Sequence, residues 1–295
     1  MTPAIKCDQL THSYGKHLIY EGLSFEVPKG RILGLLGKNG TGKTTTINIL
    51  AGYLKPGGGT CELLGYNIQN MPPEVKARIA LLIEGHVQYS FMTVNEIERF
   101  YAHFYPQWQR EVYYELISLL KITPHQKISQ MSCGQRSQVA LGLILAQDAE
   151  LLILDDFSLG LDPGYRRLFI DYLKEYTETR GKTIFLTSHI IQDMERLIDD
   201  CIILDYGKIL LQMPVKDLMK QFHRYTFKIE HPLPSLPKDD NFYYSAVIGQ
   251  QAELHTFKDN DYVQKYLRRQ DIAYTALAEE KMTLEDAFIG LTGKY

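Results

Sequence analysis

The chain opens on alternation. Residues 4 to 28 switch between apolar and polar positions with the period of half-buried strands, and a turn falls at Gly15 and Lys16. Residues 31 to 36, RILGLL, are a short continuous apolar run suited to a buried strand, and residues 43 to 51, KTTTINILA, predict a helix stopped by Gly52, Pro56 and the glycines at 57 to 59. Residues 61 to 84 mix short strands and turns. From Asn95 to about Lys121 the pattern is helical and dense in aromatics: Phe100, Tyr101, Phe104, Tyr105, Trp108, Tyr113 and Tyr114. Such a cluster suits packing within a helical subdomain, or a surface for a partner. LLIL at 151 to 154, TIFLT at 183 to 187 and CIIL at 201 to 204 are apolar runs separated by helical stretches. That alternation predicts a mostly parallel sheet covered on both faces. Asp205-Tyr206-Gly207-Lys208 reads as a hairpin turn.

The texture changes past about residue 221. YTFKIE at 225 to 230 alternates, 231 to 240 is rich in Pro and Asp, and FYYSAVIG and AELHTF pair as a hairpin across Gln250. DYVQKYLRRQ predicts a short helix, and Thr283-x-x-Asp286 a capped start for a final one. Residues 221 to 295 are therefore expected to form a small C-terminal α+β appendage to a domain over 1 to 220.

Composition narrows the class. With 295 residues, 45% hydrophobic and 23% charged, the chain has the make-up of a soluble globular protein of one large domain or two. A net charge of −3 and an isoelectric point near 6.3 argue against a nucleic-acid binder built on a broad basic surface. Cysteines at 7, 61, 133 and 201 form no metal motif and no disulfide framework, so reduced cytosolic thiols are expected. The N-terminus lacks the apolar core of a signal peptide, and the longest apolar stretch, VALGLILA, is far short of the ~18 residues a membrane span needs. If the protein works at a membrane, a separate chain supplies the span.

The chemistry is concentrated at residues 37 to 44, GKNGTGKT, the GxxxxGK(S/T) loop of P-loop nucleotidases, placed between a predicted strand and a predicted helix. Gly37, Gly40 and Gly42 permit close backbone approach, and successive N–H groups at the helix start cradle a polyphosphate. Lys43 then reaches the β and γ phosphates, and the Thr44 hydroxyl ligates magnesium. LLILDD at 151 to 156 is an apolar strand ending in two carboxylates; such a strand is expected beside the loop strand, with its Asp supporting the metal.

MSCGQ at 131 to 135, LGLD at 159 to 162, Ser188-His189 and the upstream Tyr14 complete the set. In this order and spacing, over roughly residues 4 to 220, the motifs resemble those of the ATP-binding cassette (ABC) ATPases. The resemblance implies an α/β fold, a P-loop NTPase cassette. It would hold a RecA-like, mostly parallel sheet core, an antiparallel β subdomain and a helical signature subdomain at about 86 to 145. It also implies ATP and Mg2+ as ligands. Tyr14 would stack on adenine, and Gly37, Lys38, Asn39, Gly40, Thr41, Gly42, Lys43, Thr44 and Thr45 would hold the phosphates. Thr44 and Asp155 would serve the metal, and His189 the γ-phosphate. Ser132, Gly134 and Gln135 would face ATP held by a second cassette, so that dimerisation is part of catalysis.

Three positions depart from the family pattern. Cys133 replaces the first signature glycine. Glu84 stands where a glutamine is expected; a carboxylate can still bind magnesium or water, whereas Gln88 is out of register. Asp156 replaces the glutamate that polarises the attacking water and is one methylene shorter. A misplacement of about 1 Å costs on the order of a hundredfold in rate. A slow ATPase, a site of shifted geometry, and a degenerate site beside a competent one all remain open.

FYPQWQRE at 104 to 111 and TLEDAFIGLTG at 283 to 293 resemble segments of bacterial exporter ATPases of the bacitracin and acetoin type. The resemblance implies an ATPase subunit at the cytoplasmic face of the membrane, partnered by a second cassette and an integral membrane permease. The alternatives are a regulatory ABC subunit with little hydrolysis of its own, or a soluble non-transport ABC ATPase.

Overall fold

The computed structural model describes residues 2–83, 89–158, 160–231 and 233–293. The chain divides into two compact units, residues 1–211 and 212–295.

In the first unit the opening alternation becomes β1 (Ile5–Tyr14) and β2 (His17–Val27), an antiparallel pair turning at Gly15. RILGLL becomes β3 (Ile32–Gly37), nearly wholly buried, as a continuous apolar run in a parallel sheet should be. It feeds α1 (Lys43–Leu50). β4 (Gly58–Leu63) and β5 (Tyr66–Asn67) add to β1, giving an antiparallel sheet ordered β2-β1-β4-β5. A short helix, α2 (Pro73–Lys76), starts on Pro72-Pro73 and precedes β6 (Ile79–Leu82).

The aromatic stretch is two helices. α3 (Val94–Ala102) starts on a capping box in which Thr93 accepts from the Glu96 amide and Glu96 accepts from the Thr93 amide. α4 (Arg110–Leu119) follows an interruption around Pro106, which has no N–H to continue a helix and holds Tyr105 out of the α region. The continuous helical pattern expected from Asn95 to Lys121 is thus broken. The aromatics divide between buried and exposed positions. Tyr113 is buried and donates to the Val94 carbonyl at 3.0 Å, whereas Phe104 is 61% exposed.

α5 (Cys133–Ala146) leads to β7 (Leu151–Leu154), α6 (Pro163–Arg180), β8 (Thr183–Leu186), α7 (Ile191–Leu197), β9 (Asp200–Asp205) and β10 (Lys208–Pro214). The main sheet runs β10-β9-β3-β8-β7-β6, with β9, β3, β8, β7 and β6 mutually parallel. Here one expectation is corrected. The strand carrying the paired carboxylates, β7, does not lie beside the loop strand β3; β8 is hydrogen-bonded between them. The apolar run of β8, buried at every position, fits that central place.

The second unit begins at Gln212, within β10, and α8 (Val215–Gln221) groups with the C-terminal elements. β11 (His223–Ile229), β12 (Phe242–Ile248), β13 (Gln251–Thr256), α9 (Asn260–Arg269), β14 (Tyr274–Glu280) and α10 (Leu284–Thr292) follow. β12 and β13 form the anticipated hairpin across Gly249-Gln250, and α10 starts on the anticipated Thr283–Asp286 capping box. The sheet order is β12-β13-β11-β14. β14 escaped the sequence reading because it is an edge strand with mostly exposed positions, so its apolar alternation is weak.

The α3–α4 pair hangs on one buried carboxylate. Glu98, 1% exposed, accepts from Trp108 Nε1 at 2.9 Å and from the Tyr114 hydroxyl at 3.3 Å, with Arg110 at 3.5 Å. Glu98→Ala leaves the indole N–H without its acceptor and is expected to destabilise this region by about 2–3 kcal/mol. Trp108 is the sole tryptophan, so its fluorescence in a urea titration reports the change. A midpoint equal to the parent's would show that Glu98 is not the tie.

Candidate functional site

The parallel registers bring three loops to one edge of the main sheet. Ile32 pairs with Ile184 and Leu154 with Leu186, so β3, β8 and β7 run in step; β8 and β7 end level with each other, and β3 runs on from Gly34 to Gly37. The carboxyl ends of such strands are where open α/β sheets bind ligands. Out of β3 comes the loop 37–42, out of β7 come Asp155 and Asp156, and between them β8 delivers Thr187, Ser188 and His189.

The loop is shaped by close approaches. A Cβ on Gly37 would lie 2.5 Å from Thr41 Oγ1. Gly42 caps α1 with φ 101° and ψ 10°, a conformation that favours glycine, and a Cβ there would lie 2.8 Å from Ile19 and Tyr20. No side chain caps this helix, so its first N–H groups are left for a ligand. Thr41 Oγ1 donates to the Lys38 carbonyl at 2.8 Å. Lys43 folds back into the loop, its Nζ donating to the carbonyls of Gly37 at 2.7 Å and Lys38 at 3.0 Å. Burial lowers the Lys43 pKa, while the charges of Asp156 and Asp155 oppose the shift. Asn39, Gly40 and Thr44 are exposed, and Thr45 is buried.

Asp155 is 3% exposed. Its Oδ1 accepts from Thr187 Oγ1, and its Oδ2 is buried without a hydrogen-bond partner. Burial pushes its carboxyl above the ordinary range and the Asp156 charge adds to this, while the hydroxyls of Thr187 and Thr44 oppose it. An orphaned carboxylate oxygen close to a threonine hydroxyl is a hard-oxygen donor set, and it fits magnesium.

Asp156 sits in the left-handed region at φ 47°, which Asp tolerates better than most residues. Its amide donates to Thr187 Oγ1 at 3.2 Å, so a single hydroxyl bridges both acidic residues. Its two carboxylate oxygens are both turned on His189: Oδ1 accepts from the His189 amide at 2.9 Å, and Oδ2 lies 2.6 Å from Nε2. Thr187 was missed in the sequence, where it read as the end of an apolar strand; its place directly before Ser188-His189 was the available signal.

Tyr14 lies at the end of β1, half exposed, with its ring edge-on to His12 at 4.9 Å. MSCGQ forms the start of α5. Ser132 is the N-cap, accepting from the Gln135 amide at 3.2 Å, while Gln135 Oε1 accepts from the Ser132 amide at 3.1 Å. A Cβ on Gly134 would lie 2.7 Å from the Gly160 carbonyl, so the signature glycine is a packing contact with the LGLD segment. Cys133 is exposed. Glu84 and Gln88 lie outside the described residues.

Comparisons with known proteins agree with this arrangement. A family profile described as ABC transporter matches residues 20–158. The chain is 33% identical to the bacitracin transport ATP-binding protein BcrA of Bacillus licheniformis, over 76% of this chain and 74% of that protein. It is 28% identical to the Nod factor export ATP-binding protein I of Paraburkholderia xenovorans, over 99% of this chain and 97% of that protein. It is also 28% identical to the uncharacterized ABC transporter ATP-binding protein YhcH of Bacillus subtilis, over 100% and 97% of the two. A solved structure of an ATP-binding subunit of an ABC transporter superposes with a TM-score of 0.67 at 26% identity, covering 75% of this chain and 93% of that one.

The environment of Asp155 has a thermodynamic consequence. A carboxyl raised above its ordinary value of 3.8 stabilises the fold below that value, and the contribution is lost as the pH rises through the raised one. At pH 7 the ionised group burdens the nucleotide-free, magnesium-free protein. Asp155→Asn is therefore expected to raise the thermal midpoint of that form at pH 7, with the difference shrinking toward pH 4. A variant that melts below the parent at pH 7 would contradict the assignment.

Proposed function

This chain belongs to the ABC transporter ATP-binding family, and we propose that it is the ATP-hydrolysing subunit of an exporter, sandwiching Mg-ATP between two cassettes to drive a separate membrane permease. One observation carries the reading: a glycine loop opening an uncapped helix shares the strand-end edge of the sheet with a buried carboxylate that has an oxygen left without a partner. Within it, the loop N–H groups and Lys43 bind and orient the phosphates. Thr44 and Asp155 would hold the magnesium ion, which would neutralise phosphate oxygens when bound. Tyr14 stacks on the base. Asp156 accepts the proton of the attacking water, and His189 stands at the γ-phosphate. Ser132, Gly134 and Gln135 meet the nucleotide of the opposite cassette, with the partial positive charge of the α5 N-terminus behind them.

Export is supported by the relatives, whose names speak of bacitracin transport and Nod factor export. Among the described residues no helix is long and apolar enough to cross a membrane. In the proposed reading the permease supplies the span and this chain works at its cytoplasmic face. A cleft of about 300 Å³ lined by Tyr53, Tyr101, Tyr105, Leu143 and Ile144 suits contact with that partner. Tyr53 on its rim is 69% exposed.

Lys43→Ala tests the core of the reading. Removing the ammonium from the loop is expected to weaken Mg-ATP binding at least tenfold in isothermal titration and to abolish phosphate release. Unchanged affinity and turnover would sink the assignment.

A second reading, a subunit with little hydrolysis of its own, is favoured by one contact. Both oxygens of Asp156 are engaged by His189, so the short carboxylate is held back from a water in line with the γ-phosphate. Asp156→Glu restores one methylene and is expected to speed phosphate release in the assembled complex by roughly tenfold or more, within the range such misplacement costs. Asp156→Asn, whose amide accepts no proton, should slow it further while ATP still binds. A Glu variant no faster than the parent, with an Asn variant equal to it, would remove Asp156 from the role of base.

A further inference from the structure

Cys7 and Cys61 are 54 positions apart in sequence and were read there as isolated thiols. The fold makes them a pair. They are register partners on the antiparallel strands β1 and β4, and their Sγ atoms meet at 3.1 Å in a shared S–H hydrogen bond. Both are buried, at 2% and 1% exposure. Directly opposed residues of an antiparallel pair have Cα atoms about 4.5–5.5 Å apart. Disulfides span Cα separations of about 4.4–6.8 Å. The two backbones are therefore already at bridging distance.

The stretch between the two cysteines contains β2, β3, the whole phosphate loop and α1. The pair also lies against the wall of the loop. Tyr20, fully buried, belongs to the same core cluster as both thiols. Its ring fills the space beside Gly42, and its hydroxyl accepts from Thr46 on α1 at 3.4 Å.

We propose that Cys7 and Cys61 are an oxidation site, converted by a hydroperoxide into an intrachain disulfide that ties β1 to β4 and encloses the phosphate loop in one covalent ring. In the first step a sulfur attacks the peroxide oxygen, the O–O bond breaks and the hydroperoxide's other half leaves as water or an alcohol; the sulfur becomes a sulfenic acid. In the second, the facing thiol attacks that sulfur, the S–O bond breaks and water leaves. Two thiols lose two electrons to the peroxide, and both thiol protons end on the departing oxygens. The hydrogen bond with Cys61 and burial hold the Cys7 thiol well above its ordinary pKa, so little thiolate is present at neutral pH. The pair therefore responds to sustained oxidation, after the exposed Cys133. Closing so long a loop constrains the unfolded chain and stabilises the folded unit around the phosphate loop.

The test uses the full chain treated with hydrogen peroxide, then denatured, alkylated and digested without reductant. The expected result is a linked pair of peptides carrying Cys7 and Cys61, lighter by two hydrogens than their sum. It comes with a rise of several degrees in thermal midpoint that dithiothreitol reverses. Cys61→Ala and the Cys7→Ala/Cys61→Ala double variant should show neither. Recovery of Cys7 and Cys61 as free thiols after Cys133 is fully oxidised would overturn the proposal, as would a linked peptide with no rise in midpoint. Neither readout involves nucleotide, so failure here leaves the ATPase reading standing.

Discussion

The site depends on one constraint in the main sheet: β8 is paired in parallel between β3 and β7, in register with both. Because all three strands run the same way, their outgoing loops share one edge, with β3 reaching three residues beyond the ends of β8 and β7. Had β7 lain directly beside β3, the acidic pair would face the phosphate loop with nothing between. The intervening strand instead inserts Thr187 and His189 there, and they take most of the hydrogen bonds of the two carboxylates. One hydroxyl donates to Asp155 and accepts from the Asp156 amide, so the two acidic residues are held as a unit. One oxygen of Asp155 is left over, and it is the oxygen a cation would take.

Local signals were read well from sequence because local physics produces them. The GKNGTGKT loop, the capping box at Thr283 and the hairpin across Gln250 all rest on residues a few positions apart, whose side chains and turns satisfy nearby backbone groups. Strand order rests on which apolar runs pack together, and several buried runs look alike: LLIL and TIFL are equally apolar and equally buried. No local feature says which lies next to RILGLL. For the same reason the Cys7–Cys61 pair could not be seen, since the two thiols become partners only through the fold. The missed strand β14 and the break at Pro106 are different cases. The first is an edge with little apolar signal. The second was legible, and a helical pattern rich in aromatics obscured it.

The signature segment shows how one short stretch can satisfy two demands. Ser132 and Gln135 close the start of α5 on each other, which fixes the helix N-terminus without calling on any other element. Gly134 meanwhile lets the Gly160 carbonyl come so close that any side chain there would collide with it. The segment is thus held rigid by its cap and located by its glycine, while Cys133 at the neighbouring position stays exposed.

The antiparallel sheet has a part in the site that its sequence only half discloses. The β1–β2 hairpin pairs Tyr14 with His17 at its tip and His12 with Tyr20 further in. Tyr14 stands half exposed at the turn, where a base could stack. Ile19 and Tyr20 press on Gly42, and the Ile19 carbonyl lies 2.5 Å from where a Cβ on Gly207 would be. β2 is therefore clamped between the phosphate loop and the turn after β9. From the tip to Tyr20 is three residues of strand, about 10 Å at the usual rise. One rigid hairpin thus sets the spacing between the ring at its tip and the loop at its flank. In the proposed reading, that spacing separates the adenine from its phosphates. A shift of β1 against β4 would then act on both ends of the nucleotide together.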